Sequence, residues 1–175
     1  MSLRSMAGLC LLGWLCTAVA QEPRTRLEGF NGMRFGTSSA EAKQILGPNR
    51  KDGTQRTRTT RQTINYIQQE TTVHGAAFFV VYFFGTDDGL SLVRLVPTGG
   101  LLSSTDKSAC LGWGAKAIAA LTRQYGPPDR EKNTEADREA VFAFRDGNEI
   151  QVTASPLPGG CIAVYQYATP EGKKI

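Results

Sequence analysis

Ser38-Ser39-Ala40-Glu41-Ala42-Lys43-Gln44-Ile45-Leu46-Gly47-Pro48 spells a short helix with both ends marked. Ser38 and Glu41 stand three apart, the spacing at which a hydroxyl and a carboxylate satisfy each other's free backbone N–H groups. Ala42, Ile45 and Leu46 fall on one helical face, Gly47 supplies a left-handed end, and Pro48 cannot continue the helix. The same stop returns at Gln124-Tyr125-Gly126-Pro127-Pro128, after a stripe of Leu111, Ala115, Ile118, Leu121 and Tyr125 that predicts a helix over about 108–125. Gly112 and Gly114 weaken its first turns by roughly 1 kcal/mol each relative to alanine, which leaves its start open. They are also small enough to let a helix sit close to a sheet.

Each helix is followed by a hairpin signal. Phe78-Phe79-Val80-Val81-Tyr82-Phe83-Phe84 leads through Gly85-Thr86-Asp87-Asp88-Gly89 into Leu90-Ser91-Leu92-Val93-Arg94-Leu95-Val96, and Ala140-Val141-Phe142-Ala143-Phe144 leads through Asp146-Gly147-Asn148 into Glu149-Ile150-Gln151-Val152-Thr153-Ala154. The apolar run over residues 76–84 reads as a strand buried on both faces. Ile150, Val152 and Ala154 alternate with polar residues, so one face of their strand is wet. A last strand is expected over 161–168.

Gly47 and Gly126 lie 79 positions apart, and the pattern helix, Gly-Pro, hairpin occurs twice. The first half holds about nineteen more residues between its Gly-Pro stop and its hairpin, room for residues 50–61 and a strand over 62–70. Coincidence is the competing reading, since helix stops of this chemistry recur in unrelated chains. The expected fold is α+β, an antiparallel sheet covered on one face by two helices, built as a tandem helix-hairpin repeat. Its halves are about 30–100 and 105–168, joined through 101–107.

The N-terminus carries an address. Arg4 gives a basic start, residues 6–20 are uncharged and mostly apolar, and Ala18-Val19-Ala20 precedes polar Gln21, the layout of a secretory signal peptide cleaved after Ala20. The alternative, a stop-transfer anchor, suits so short a stretch poorly. Neither Cys10 nor Cys16 follows a small residue in the way a lipidation box requires. Removing twenty of the 175 residues leaves 155, one α+β domain over 21–175, destined for the periplasm or secretion. No later apolar run is long enough to cross a membrane.

Arg4 leaves with the signal and no acid does, so the formal charge of +4 becomes +3, too mild to point to nucleic acid. Four cysteines become two, Cys110 and Cys161, and an even count in an oxidising compartment predicts one disulfide. Closing that loop stabilises by about 4 kcal/mol on the chain-entropy view. The alternative is a free thiol nucleophile working with His74.

Several residues here form a recognisable set: Gly32-Met33-Arg34-Phe35-Gly36, Leu46-Gly47-Pro48, Cys110, Tyr125-Gly126-Pro127-Pro128-Asp129, Phe142-Ala143-Phe144, Gly147-Asn148 and Cys161-Ile162-Ala163-Val164-Tyr165. In these the chain resembles uncharacterised exported proteobacterial proteins whose architecture is similar to β-lactamase inhibitory protein and to the small lipoprotein of the outer-membrane assembly machine. The resemblance covers nearly all of residues 21–175 and implies tandem helix-and-sheet units, a periplasmic address and protein binding. It carries over no catalytic residues, and the missing lipidation cysteine departs from the assembly lipoprotein.

No stretch commits to enzyme chemistry. His74 is the only histidine, so a His-rich metal site is excluded and a hydrolytic triad would have to use it; an ordinary surface histidine is the simpler reading. Asp87-Asp88-Gly89 and Asp146-Gly147-Asn148 lack the alternating oxygen ligands and distant glutamate of a calcium loop and read as hairpin turns. Glu131, Glu135, Asp137 and Glu139, interspersed with Lys132 and Arg138, read as a solvated loop. Gly112-Trp113-Gly114-Ala115-Lys116 lacks phosphate-loop spacing and follows no strand. No cofactor, metal or catalytic residue is therefore expected.

The basic stretch over 50–61 is the least ordinary feature of the secreted chain. Arg50, Lys51, Arg56, Arg58 and Arg61 are its partner-binding candidates, and in an extended edge Arg56 and Arg58 would share one side, where phosphates or carboxylates could meet them. The competing reading is that charge protects an exposed sheet edge from aggregation. The sequence thus predicts a non-enzymatic, exported binding protein, inhibitor-like in form, for an unidentified protein or anionic envelope component. The rivals are an envelope hydrolase using His74 and an outer-membrane assembly factor.

Overall fold

The computed structural model describes residues 24–57, 61–73, 76–98 and 105–175. Residues 1–20, read as a signal peptide, His74 and Arg58 therefore lie outside the described residues. The chain is α+β. A two-stranded hairpin, β1 (Gly29–Phe30) and β2 (Met33–Arg34), precedes helix α1 (Ser39–Leu46), and four strands follow: β3 (Lys51–Arg56), β4 (Thr63–Val73), β5 (Ala76–Phe84) and β6 (Leu90–Pro97). Helix α2 (Lys107–Tyr125) then leads into β7 (Arg130–Asn133), β8 (Arg138–Ala143), β9 (Glu149–Leu157) and β10 (Gly160–Ala168). A single 3-10 turn, Gly172–Lys174, follows.

All eight longer strands form one antiparallel sheet in the order β3-β4-β5-β6-β10-β9-β8-β7. Each helix is thus followed by a four-strand meander, and the meanders meet where β6 pairs with β10. Both helices end as their sequences foretell. Gly47 and Gly126 sit at φ 69° and 78°, conformations that favour glycine, and a strand begins four residues after each. At the N-termini, Ser38 Oγ accepts from Glu41 N–H, and Asp106 accepts from the N–H groups of Ser108 and Ala109, fixing the start of α2 at Lys107.

Alternate residues on each strand divide the sheet into a packed face and an open one. The packed face carries Phe78, Val80 and Tyr82 of β5, Val93 and Leu95 of β6, Ile150, Val152 and Ala154 of β9, and Ala140 and Phe142 of β8, all buried. Ala117, Ile118 and Leu121 of α2 pack on the β8 and β9 residues. Ala42 and Leu46 of α1, with Phe30 and Met33 of the hairpin, join the cluster around Ile67, Val80 and Tyr82. Trp113 contacts both clusters, its ring 5.3 Å from that of Tyr165.

Three fastenings hold the packed side. Cys110 in the first turn of α2 is disulfide-bonded to Cys161 at the start of β10, with Cα atoms 5.7 Å apart. Gly114 lets α2 approach the sheet closely: a Cβ there would lie 2.6 Å from Ala154 Cβ and 2.9 Å from Arg138 Cβ. Arg24 clamps the segment before β1, donating to Asp129 Oδ2 and to the carbonyls of Tyr125, Pro127 and Ala143 while lying 5.1 Å over the Phe142 ring. Those carbonyls include the end of α2, where helix oxygens lack internal partners.

Four expectations change against the structure. Of the stretch from Glu131 to Glu139 read as a solvated loop, residues 131–133 belong to edge strand β7 and residues 138–139 begin β8, whereas residues 51–56 form the opposite edge strand β3, in line with the charged-edge reading of 50–61. An edge strand wet on both sides shows no alternation, so no period marks β7. Ile45, read on one helical face with Ala42 and Leu46, is 54% exposed, because α1 meets the core through Ala42 and Leu46, which leaves Ile45 at the outer margin of that face. β5 is not buried on both faces: Ala77 is exposed and Phe79 and Val81 are half-buried. The extra length of the first half lies partly in longer strands, β4 having 11 residues where β8 has six.

Candidate functional site

The open face is assembled by register. Cross-strand partners lie on one face, so Gln68, Val81, Arg94, Gln166, Gln151 and Val141 form one row across six strands. Four of these positions are polar, and three of them, Arg94, Gln166 and Gln151, connect. Arg94 Nε donates to Gln166 Oε1 at 3.0 Å, Gln166 Nε2 to Gln151 Oε1 at 3.5 Å, and Gln151 Nε2 to Glu139 Oε1 in the neighbouring row at 2.9 Å. The ladder runs from cation to anion over four strands. Each amide accepts on the arginine side and donates on the glutamate side, so neither can turn over without losing both bonds.

Beside the ladder runs an apolar strip. Phe79 pairs with Val96, and Val164, Ile162 and Leu157 continue it along the β10 and β9 hairpin. Ile162 is 45% and Leu157 48% exposed, the other three are half-buried, and among the described residues no element packs over them. On the ladder's other flank, Ile64, Phe83, Leu92 and Ala168 are buried under Ile175, after a turn that Thr169 anchors by donating to Ser91 O. The open face is therefore covered on one flank and bare on the other.

The described basic candidates, Arg50, Lys51, Arg56 and Arg61, do not gather on one surface. Arg50 donates to Gly47 O and pairs with Asp52 Oδ1 at 3.2 Å, so it ends α1 and steadies β3. Asp52 also binds Lys43 at 2.9 Å, and that hydrogen bond is the main reason its pKa is lowered. Lys51 is on the open face, whereas Arg56, in register with Thr63, is on the packed side and donates from Nε to Arg61 O at 3.1 Å. Arg61 is exposed in the following turn at φ 56°. A cleft of about 300 Å³ beside β3 is lined by Ser39, Lys43, Asp52, Thr54 and Asn65, but Lys43 and Asp52 already neutralise each other there.

The carboxylate turns are structural. Asp87 Oδ1 accepts from Gly89 N–H at 3.1 Å, Asp88 Oδ2 accepts from the N–H and hydroxyl of Ser39, and Asp146 accepts from the N–H groups of Asn148 and Leu27. Asp137 pairs with Lys132 at 2.6 Å and accepts from Ser155 Oγ; those bonds lower its pKa. Among the described residues no three His, Cys, Asp or Glu side chains are placed to hold a metal, and no helix is long and apolar enough to cross a membrane.

Sequence reasoning passed over Arg94, Gln166 and the bare strip. One signal was present: Arg94 is the only charge in Leu90-Ser91-Leu92-Val93-Arg94-Leu95-Val96, an otherwise apolar central strand. Comparison with protein-family models finds no match to the chain, and neither does comparison with curated proteins or with solved structures.

Proposed function

We propose that this chain is an exported, non-enzymatic binding protein that takes a protein or envelope partner on the open face of its sheet, in the manner of an inhibitor. The observation that carries the reading is the bare strip of Phe79, Val96, Val164, Ile162 and Leu157 lying along a hydrogen-bonded polar ladder at the middle of an eight-stranded sheet. Apolar core beside polar fixing points is the make-up of a protein interface. The Cys110 to Cys161 bond and the signal-like N-terminus support an oxidising, extracytoplasmic setting.

The same reading takes the two halves as a tandem repeat whose helices cover the packed face. Matching glycine conformations at Gly47 and Gly126, equal four-residue approaches to the next strand, and a sheet order symmetric about the β6 and β10 pairing support it. The resemblance to exported proteins of tandem-repeat architecture is a proposal on the same footing.

Affinity capture from periplasmic extract tests the surface. The variant Leu157→Asp/Ile162→Asp should lose a partner that the native chain retains, while Arg56→Glu/Arg61→Glu should keep it. The opposite pattern would move the function to the basic edge, and capture unchanged by either pair would remove the open face from consideration.

A further inference from the structure

Arg94 lies near the middle of the open face, on β6 between β5 and β10. Its Nε is held by Gln166 and its guanidinium lies 5.4 Å from the Phe83 ring centroid, so the group is fixed from below and from one side. Among the described residues no carboxylate pairs with it, and neither Nη1 nor Nη2 has a hydrogen-bond acceptor. Burial lowers its pKa, a sign that the charge is already partly stripped of water, yet a guanidinium stays charged at any physiological pH. Glu139, the acid at the far end of the ladder, is three strands away and reaches Arg94 only through two amides.

A half-desolvated guanidinium with two free forks and no counter-ion is best satisfied by an incoming carboxylate, in a bidentate pair that apolar neighbours shield from water. Those neighbours are present: Val81 stands opposite Arg94 on β5, and the Phe79, Val96 and Val164 strip borders it. Anionic polymers and lipid headgroups call for several exposed cations close together. On this face Lys51 belongs to β3, and Arg130 and Lys132 to β7, the two outermost strands, about 14 and 19 Å from β6 by strand spacing, while Lys173 and Lys174, in the turn at the covered flank, are already paired with Glu149 and Glu171. The charge pattern favours one buried anion over many spread ones.

We infer that the open face recognises a protein partner through a single aspartate or glutamate side chain that docks on Arg94 within a rim of apolar contacts. This rests on the binding-face reading above and adds to it the chemistry of the partner. The test is to pan a phage-displayed library of random 12-residue peptides against the oxidised mature chain, resynthesise the enriched peptides, and measure their affinities for variants checked for native circular dichroism. Enriched peptides should carry Asp or Glu flanked by apolar residues. Arg94→Gln should weaken them at least tenfold, with Arg94→Lys intermediate. Changing the peptide's acid to its amide should cost as much, and no more when combined with Arg94→Gln, because both changes remove one interaction. Peptides that lose affinity on Leu157→Asp/Ile162→Asp but not on Arg94→Gln would overturn the carboxylate and leave the binding face standing. Peptides indifferent to both, or no enrichment, would overturn both. Arg94-dependent binding to phosphatidylglycerol vesicles without any enriched peptide would assign the face to lipid and overturn the protein partner.

Discussion

Val80 and Val81 are adjacent on β5 and belong to different environments. Val80 points into the packed face with none of its surface exposed, against the cluster that includes Ala42, Ile67 and Leu95; Val81 is half-buried on the open face beside Arg94. The three fastenings named above lie on the Val80 side: the disulfide, the close approach at Gly114 and the Arg24 clamp. The open face has only the turn at Gly172–Lys174 with Ile175 over one flank. A sheet that is fastened from one side can leave the other bare and still keep its shape, which is what a rigid binding platform needs.

The sharpest way to break the contrast is to place one charge on each side. Val80→Asp puts an unpaired carboxylate into a dry core and should cost more than about 4 kcal/mol, much of a typical domain's stability. Val81→Asp, with water on one side and Arg94 opposite, should cost less than about 1 kcal/mol. Urea unfolding of the two variants checks this. Comparable losses would mean that the open face is covered in solution.

The next largest effect belongs to the disulfide. Cys110→Ala/Cys161→Ala should lower stability by about 4 kcal/mol, the loop-closure value for a 51-residue separation. Two free thiols in the denatured, unreduced chain would show that the bond is absent.

Arg24 tests the same side by charge. Its side chain is only 9% exposed and holds the end of α2 to Asp129 and β8, so Arg24→Ala should cost about 3 kcal/mol by leaving those acceptors unpaired. Burial works against the Asp129 carboxylate, but the Ala143 N–H and Arg24 outweigh it and lower the pKa. A lowered carboxylate pKa adds stability that is whole above the unfolded value, about 3.9, and is lost as pH falls through the lower folded value. The stability difference between the native chain and Asp129→Asn should therefore shrink below about pH 4, as followed by denaturant melts across pH. A difference that stays constant would show that the carboxylate charge contributes nothing.

What the sequence made legible follows from this contrast. Periodicity and punctuation speak about burial and chain reversal, so α1, α2, β4 to β6 and β8 to β10 could be read, along with the pairing of Cys110 and Cys161. The edge β7 is exposed throughout, and a strand with no dry side leaves no period; β3, nearly as exposed, could be read only through its run of charge. The apolar run of β5 misled for the opposite reason: when both faces carry Phe and Val, hydrophobicity cannot say which is bare. Alternation in β9 did reveal a wet face, but joining Gln151 to Gln166 and Arg94 requires the register of three strands, information that no local pattern contains. Nothing in the local pattern around Arg24 marks it, and only the fold brings it to Asp129.

The smallest expected change in stability is the most telling one for function. Ile162 and Leu157 sit diagonally across the β9 and β10 hairpin, each nearly half exposed. Ile162→Thr keeps the β-branch that suits a strand and removes apolar surface that water already reaches, so it should move stability by no more than about 0.5 kcal/mol. If the side chain exists to pack the protein, thermal unfolding will report it and partner affinity will not. If it exists to meet a partner, the order reverses: the melt stays in place while affinity falls. A conserved melting temperature with weakened capture would separate a binding surface from the spare hydrophobic area that any folded chain displays.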